Sequence, residues 1–298
     1  MPELPDVICY LEALERFLLK HKIKNIVIKS PFVLRTFEPP IEDCIGKRVV
    51  GFQRFGKRII WELEGELNLV FHLMITGRFH WRKPSSLPRS KNDLMAILFE
   101  HGTMMLTEAG TKKRASLHVT YSDSLPAFDK SALEVMDCRE EEFAQALRQE
   151  NRTIKRALTN PNLLSGIGNA YSDEILLRAG ISPFQHTRKL TDQQISRLFA
   201  TSKLVLNEWI ERLREQVGEN FPERVTAFRD EMYAHGRFGK PCRVCKTLIQ
   251  RVVYADKEMN YCPLCQTNGK ILADRSLSRL LKDDWPKTVD DLVREEES

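Results

Sequence analysis

The sequence predicts a multidomain α+β protein: a helix-led β-sandwich or barrel, then a helical segment, then a small hairpin gathered by four cysteines. Three observations carry this reading. Val7, Leu11, Leu14 and Leu18 recur at helical spacing within residues 5–20. Apolar residues between 45 and 122 recur instead with a period of two. Finally, Cys242-x2-Cys245 and Cys262-x2-Cys265 form two close pairs separated by sixteen residues. A length of 298 residues fits more than one domain, at roughly 100 to 200 residues each.

Taken in order, Pro5 suits the first turn of the opening helix, where its missing N–H costs nothing. Leu67, Leu69, Phe71, Leu73 and Ile75 alternate with Asn68, Val70, His72 and Met74, predicting a strand with one apolar side and His72 on the other. Residues 59–63, 94–99 and 103–106 add further strands, and Ser85 to Asn92 reads as an exposed loop. The acidic stretch from Asp123 to Glu150 reads as a linker entering a helix, with Arg139 to Glu142 as its solvated start. Ala170 to Ala179 forms a helix closed by Gly180. Thr191-Asp-Gln-Gln194 is a capping-box pattern that opens another, carrying Ile195, Leu198, Phe199, Leu206 and Trp209. The expected divisions are 1–122, 123–222, 223–270 and a C-terminal extension, 271–298, whose Leu277, Leu280, Leu281 and Trp285 are expected to pack as a small helix.

Charge and composition narrow the function classes. No apolar run reaches the ~18 residues a membrane span needs. The start lacks the basic-then-apolar order of a secretory signal, so a reducing, cytoplasmic location is expected. The net charge of +5 is uneven: +6 over 1–122, −5 over 123–150, +4 over 151–190 and +4 over 223–270. Such blocks suit several anion-facing elements joined by solvated connectors. Cys9, Cys44 and Cys138 read as small buried hydrophobes. His21, His80, His101, His118, His186 and His235 show no ligand spacing and read as ordinary histidines.

Three motifs bear chemistry. The cysteine pairs can close a tetrahedral sulfur shell around one structural Zn²⁺, leaving no open position for water. Arg243, Lys246, Arg251 and Lys257 are interleaved with Val252, Val253 and Tyr254, so the metal would staple a hairpin that carries cations outward. In the run Asn160 to Glu174, Gly166 and Gly168 allow a sharp turn just before a helix, where free N–H groups suit a phosphate; taken alone, the segment reads first as a tight helix-to-helix turn with Asn169 as a plain N-cap. Pro2-Glu3 is inert in isolation. Removal of Met1 would expose a secondary amine able to attack an electrophilic sugar carbon, with Glu3 beside it to move protons.

These pieces occur together and in a known order: Pro2-Glu-Leu-Pro-Asp6, Lys57 in Gly-Lys-Arg-Ile-Ile, His72-Leu-Met-Ile-Thr-Gly77, Ile154-Lys155, Gly166 to Glu174 and the four-cysteine finger. The chain resembles the formamidopyrimidine-DNA glycosylase and endonuclease VIII family over roughly residues 2–270. The resemblance implies an N-terminal helix-led β-sandwich, a helix-two-turn-helix domain and a C-terminal zinc hairpin. It implies a monomeric enzyme that acts on double-stranded DNA containing damaged bases or abasic sites. By the same resemblance Pro2 is the nucleophile at C1′, Glu3 the general acid/base and Lys57 a phosphate or sugar ligand. His72, Lys155, Asn169 and Lys257 are DNA contacts, and Glu174 orders the site.

Departures matter as well. The family's Asp-Pro-Arg-x-Phe-Gly wedge is replaced by Glu108-Ala-Gly110-Thr-Lys112-Lys113, its loop methionine by Ile75, and its finger arginine by Lys257. The void left by an extruded base would then be filled by other groups, such as Met74 or Arg114. The Gly/Thr-rich loop that covers an oxidised purine is not recognisable in Gly218 to Gly236. Two alternatives therefore stand beside a bifunctional glycosylase and lyase: a damage- or junction-binding protein on the same scaffold, and an abasic-site lyase with weak base excision.

Overall fold

The computed structural model describes residues 1–254, 257–274, 278–280 and 285–291. They form two compact units. The first comprises Met1–Ala132 and Asn207–Thr226, the second Leu133–Leu206 and Ala227–Ser298.

In the first unit α1 (Leu4–Leu18) buries Val7, Tyr10, Leu14 and Leu18. Eight strands follow: β1 (Asn25–Ile28), β2 (Val49–Phe55), β3 (Arg58–Leu63), β4 (Leu67–His72), β5 (Gly77–Arg82), β6 (Asp93–Leu98), β7 (Thr103–Glu108) and β8 (Ser116–Tyr121). They make two four-stranded sheets, in the orders β1-β6-β7-β5 and β2-β3-β4-β8, and every strand pair is antiparallel. One apolar core draws on both sheets and on α1; Trp61, Phe71 and Phe79 pack within it. This is the expected helix-led sandwich.

Two details differ from the sequence pattern. β4 ends at His72, and Ile75 stands 54% exposed in the turn beyond it. The strand is also covered on both faces: Leu69 and Phe71 join the main core, while Val70 packs with Ile60 and Leu125. The short 3-10 segment Ser122–Phe128 supplies that second cover, in a stretch expected to be linker.

The second unit holds α2 (Glu140–Gln149), α3 (Ile154–Leu158), α4 (Asn169–Ala179), the hairpin β9 (Gln250–Tyr254) and β10 (Lys257–Tyr261), and α6 (Pro263–Thr267). α5 (Asp192–Val217) starts in this unit and ends in the first. Its capping box is formed as expected: Thr191 N–H donates to Gln194 Oε1 at 3.0 Å, and Gln194 N–H to Thr191 Oγ1 at 3.2 Å. Gly180 ends α4 at φ +63, a conformation that glycine adopts without steric cost. Of the expected C-terminal helix, residues 278–280 are helical and Trp285 is half-buried, but Leu280 is 76% exposed; Leu277 and Leu281 lie outside the described residues. The tail returns instead through backbone bonds from Ile271 N–H to Lys287 O and from Val289 N–H to Gly269 O, both 2.9 Å.

Candidate functional site

α1 presents the chain start. Pro2 and Glu3 are buried, Glu3 at 2% exposure. Glu3 occupies the N-cap position, and its N–H donates to Asp6 Oδ2 at 3.0 Å, which ties the first turn to the residue before it. The terminal ammonium of Met1 is held below its usual pKa by burial and then by Arg78, against the opposing pull of Glu3 and Asp6; Lys57 also lowers it. Arg78 is itself fixed, donating to Ile75 O and Gly77 O. An amine in this setting loses its proton more readily, which is what a nucleophilic amine requires.

Lys57 stands with Gly56 in the two-residue turn between β2 and β3. The sheet register then assembles a cationic face. Arg58 pairs with His72 across β3 and β4, and His118 pairs with Val70 across β4 and β8, so all of these side chains leave the same face. Arg58 donates to Phe128 O at 2.9 Å, and the Phe128 ring meets His118 edge-on at 5.0 Å. His72 is pushed down to about 4, first by burial and then by Arg58, Lys57, Lys130 and His118. His118 is lowered too, by burial, Arg58 and Arg35. Arg58, Lys57 and Lys130 thus place positive charge beside a half-buried, neutral imidazole.

The loop in the wedge position is tightly folded. Glu108, 1% exposed, accepts from Arg114 N–H at 2.7 Å and Ala115 N–H at 3.0 Å. Gly110 N–H donates to Thr76 Oγ1 at 3.1 Å, and Lys113 Nζ donates to Glu108 O. Met74 sits in the facing turn at φ +54, while Arg114 is exposed.

The second unit gathers a different set. Lys155, 8% exposed, donates from Nζ to Asn169 O at 2.7 Å, Ser172 Oγ at 2.8 Å and Asp173 Oδ1 at 2.5 Å. Its three donors are thus spent on the first turn of α4, and a phosphate would have to displace one of them. Asp173 also meets His235 Nδ1 at 2.7 Å. Glu174 accepts the N–H groups of Tyr233, Ala234 and His235 at 2.8, 2.8 and 2.9 Å. Burial pushes the Glu174 carboxyl up, opposed by those three donors. Gly168, not Asn169, holds the N-cap position of α4, and Asn169 Nδ2 donates to Glu258 O of the hairpin at 2.5 Å. Lys257 opens β10, but its side chain lies outside the described residues.

Cys242, Cys245, Cys262 and Cys265 bring their sulfurs within 4.8 Å of one another, and no disulfide links them. A tetrahedral shell with Zn–S bonds of ~2.3 Å spaces its sulfurs about 3.8 Å apart, so the donor set fits one structural zinc. Val244 N–H and Cys265 N–H point at the sulfurs of Cys242 and Cys262, at 3.4 and 3.5 Å, as suits thiolates.

Of the residues singled out in the sequence, the first unit thus holds Pro2, Glu3, Lys57 and His72, and the second holds Lys155, Asn169, Glu174 and the cysteines. Sequence reasoning set aside two histidines that belong to these sets. His118 is reached only through strand register, and His235 only through the return of a loop onto α4; neither leaves a spacing signal.

A sandwich opened by a proline–glutamate pair, followed by a helical unit with a four-sulfur hairpin, defines a class of zinc-bearing DNA glycosylases. Profiles of three domains match: the formamidopyrimidine-DNA glycosylase N-terminal domain over residues 1–117, its H2TH domain over 132–219, and the zinc finger found in FPG and IleRS over 239–268. A formamidopyrimidine-DNA glycosylase of Solibacter usitatus is 29% identical over 271 residues, covering 89% of this chain and 99% of its own. An uncharacterized formamidopyrimidine-DNA glycosylase-like protein of Mycobacterium tuberculosis is 40% identical over 149 residues, 50% of this chain and 92% of its own. Among solved structures, the Lactococcus lactis Fpg in complex with DNA containing an abasic site aligns with a TM-score of 0.78 at 27% identity, over 89% of this chain and 99% of that one. A MutM structure in complex with carbocyclic 8-oxo-G containing DNA gives 0.80 at 27% identity, over 89% and 100%. The chain belongs to the formamidopyrimidine-DNA glycosylase family, a family of DNA-repair glycosylases. Among the described residues no helix is long and apolar enough to cross a membrane.

Proposed function

We propose that this protein excises oxidised bases from double-stranded DNA and then cuts the strand at the resulting site, through a Schiff base on Pro2. The observation that carries this reading is the chain start. A buried proline and a buried glutamate stand directly behind the Met1 amine, whose ammonium form burial and Arg78 disfavour. With Met1 removed, the Pro2 nitrogen attacks C1′ of the damaged nucleotide. The base leaves with the electrons of the glycosidic bond, and Glu3 supplies protons to the opening sugar. The resulting iminium withdraws electrons and acidifies the C2′ proton. Loss of that proton expels the 3′ phosphate, and a second elimination expels the 5′ phosphate. One nucleophile thereby gives both activities.

The other residues hold the substrate. A base inside a duplex must be turned out of the stack at a cost of a few kcal/mol, which phosphate contacts offset. Lys57 and His72 take the phosphates nearest the lesion, and Arg58 and His118 extend that contact along the sheet face. Asn169 and Lys257 hold the backbone from the helical unit and the hairpin. Lys155 acts indirectly, setting the first turn of α4 that carries Asn169, and Glu174 orders the segment through residue 235. We place the enzyme in the cytoplasm, acting as a monomer.

Borohydride trapping tests the proposal. Wild-type protein incubated with abasic-site duplex should yield a covalent protein–DNA adduct. Pro2→Gly, or protein whose start is blocked by an uncleaved tag, should yield none. Failure of the wild type to trap on abasic, oxidised-purine and oxidised-pyrimidine duplexes alike would falsify the mechanism, as would active protein that retains Met1.

A further inference from the structure

The end of α1 opposite the chain start carries a cationic arrangement of its own. After Leu18 the chain turns at Lys20, φ +68, and runs extended beside residues 46–49. Lys20 N–H donates to Val49 O at 2.8 Å, Val49 N–H to His21 O at 3.0 Å, Ile23 N–H to Lys47 O at 2.9 Å and Gly46 N–H to Ile23 O at 2.7 Å. This ladder fixes the side-chain alternation. Ile23 is fully buried in the sandwich core, so Lys22 and Lys24 on either side of it point outward, and Arg48, bridged to Lys22, leaves with them. With Lys20 and His21 they line an open pocket of about 430 Å³, which among the described residues has four cations and one carboxylate, Glu100, in its wall. Glu100 lies 3.9 Å from Lys24, but both are exposed, so that pair neutralises little; Arg48 is held by Glu64 at 3.1 Å. His21 rests on His101, the rings 4.0 Å apart and 36° from parallel, and His101 donates from Nε2 to Phe17 O at 2.8 Å, which ties this wall to α1. Burial, then His101 and Arg48, lowers the His21 pKa, so at neutral pH the positive charge of the pocket is that of its lysines and Arg48.

We propose that this pocket and its lysine row form a second DNA site, which takes the phosphate backbone of a DNA segment other than the one at the chain start. α1 has 15 residues, so at 1.5 Å per residue its two ends stand about 21 Å apart, and an anion held at Lys20 and Lys22 does not touch Pro2 or Glu3. Outward residues of an extended chain recur about every 6.7 Å, so Lys22 and Lys24 form a row and not a converging cage. Such a row suits a linear polyanion, whereas one small phosphate ion is held best by donors that meet at a point. Cations gathered in a concave wall also focus their field and raise the local concentration of an anionic ligand. A protein that touches two segments at once can pass from one to the other without full release, which serves a search through undamaged DNA. The inference goes beyond the Schiff-base reading and needs only that the protein binds DNA.

The test loads full-length, zinc-bound protein one to one with a short duplex carrying a tetrahydrofuran abasic analogue, then titrates in an undamaged duplex that carries a different dye. Sedimentation velocity at low salt should show a ternary complex of one protein and two duplexes. Lys20→Gln combined with Lys22→Gln should weaken capture of the second duplex about tenfold and reduce the slope of its log affinity against log salt by about two. Affinity for the first duplex and the thermal midpoint should not change, and Lys20→Arg with Lys22→Arg should retain the ternary complex. Absence of a ternary complex with wild type overturns the proposal, as does one that the glutamine substitutions leave intact. An equal loss of affinity for both duplexes also overturns it, because the lysines would then belong to the first site. Binding of a deoxynucleoside monophosphate that the glutamine substitutions abolish, without capture of a second duplex, would make this a free-nucleotide pocket and overturn the DNA assignment. If wild type fails to trap with borohydride while the ternary complex persists, the Schiff-base reading falls and the second site stands.

Discussion

The two units treat their buried basic side chains in opposite ways. In the first, His72 sits among Arg58, Lys57, Lys130 and His118, whose positive charge joins burial in holding its ring neutral. In the second, Lys155 spends all three donors on α4, one of them on Asp173, which also holds His235. A half-buried cluster of one sign costs electrostatic energy until an anion arrives, whereas a paired and hydrogen-bonded cation is part of the framework. The first arrangement is the one we propose meets DNA, and the second holds the first turn of α4. Family resemblance placed Lys57 with Pro2 and Glu3 at the lesion and Lys155 among the backbone contacts.

The largest effect that could break this comparison is on stability. Lys155→Met should leave Asp173 buried without its main counter-charge and cost about 3 kcal/mol, the low end for a broken buried pair because His235 remains on that carboxylate. Denaturant midpoints with and without the substitution would show it; an unchanged midpoint would mean that the ammonium is not structural. His72 gives a pH-dependent counterpart. Its folded pKa of about 4 lies below the ordinary 6.5, so between those values the unfolded chain binds the extra proton. Stability from this group is therefore full above pH 6.5 and lost as pH falls toward 4, by up to about 3 kcal/mol. His72→Gln should flatten that part of the stability–pH curve, and a DNA phosphate beside His72 should make binding take up a proton. The smallest effect is expected at Lys57. Lys57→Gln should leave the thermal midpoint nearly unchanged while reducing the slope of log affinity against log salt by about one. A drop in stability like that of Lys155→Met would erase the distinction between the units.

Features that depend on neighbours in sequence were legible from the start. The spacing of Val7, Leu14 and Leu18 marked α1, Thr191 and Gln194 marked the start of α5, and Gly180 the end of α4. The two cysteine pairs marked the zinc hairpin. Pro2 and Glu3 became informative only in company, through the order of motifs along the chain. β4 shows where periodicity misleads: its alternation continued past His72, but the chain turns at Met74 and Ile75, where Gly77 must be glycine because a Cβ would lie 2.2 Å from Leu73 O.

Local sequence by itself determined the helices, the caps and the cysteine pairs, because hydrogen bonds and sulfur spacing over three to four residues are set by near neighbours. Only the tertiary structure decided that His118 stands by His72, that Lys155 is saturated, that Asn169 reaches Glu258, and that Phe228 rests on His235. These pairs lie 7 to 89 residues apart, and none falls within a single helix or strand whose repeat would mark it. A charge or ring acquires its role from what burial places beside it, and that is a property of packing with no local pattern to announce it.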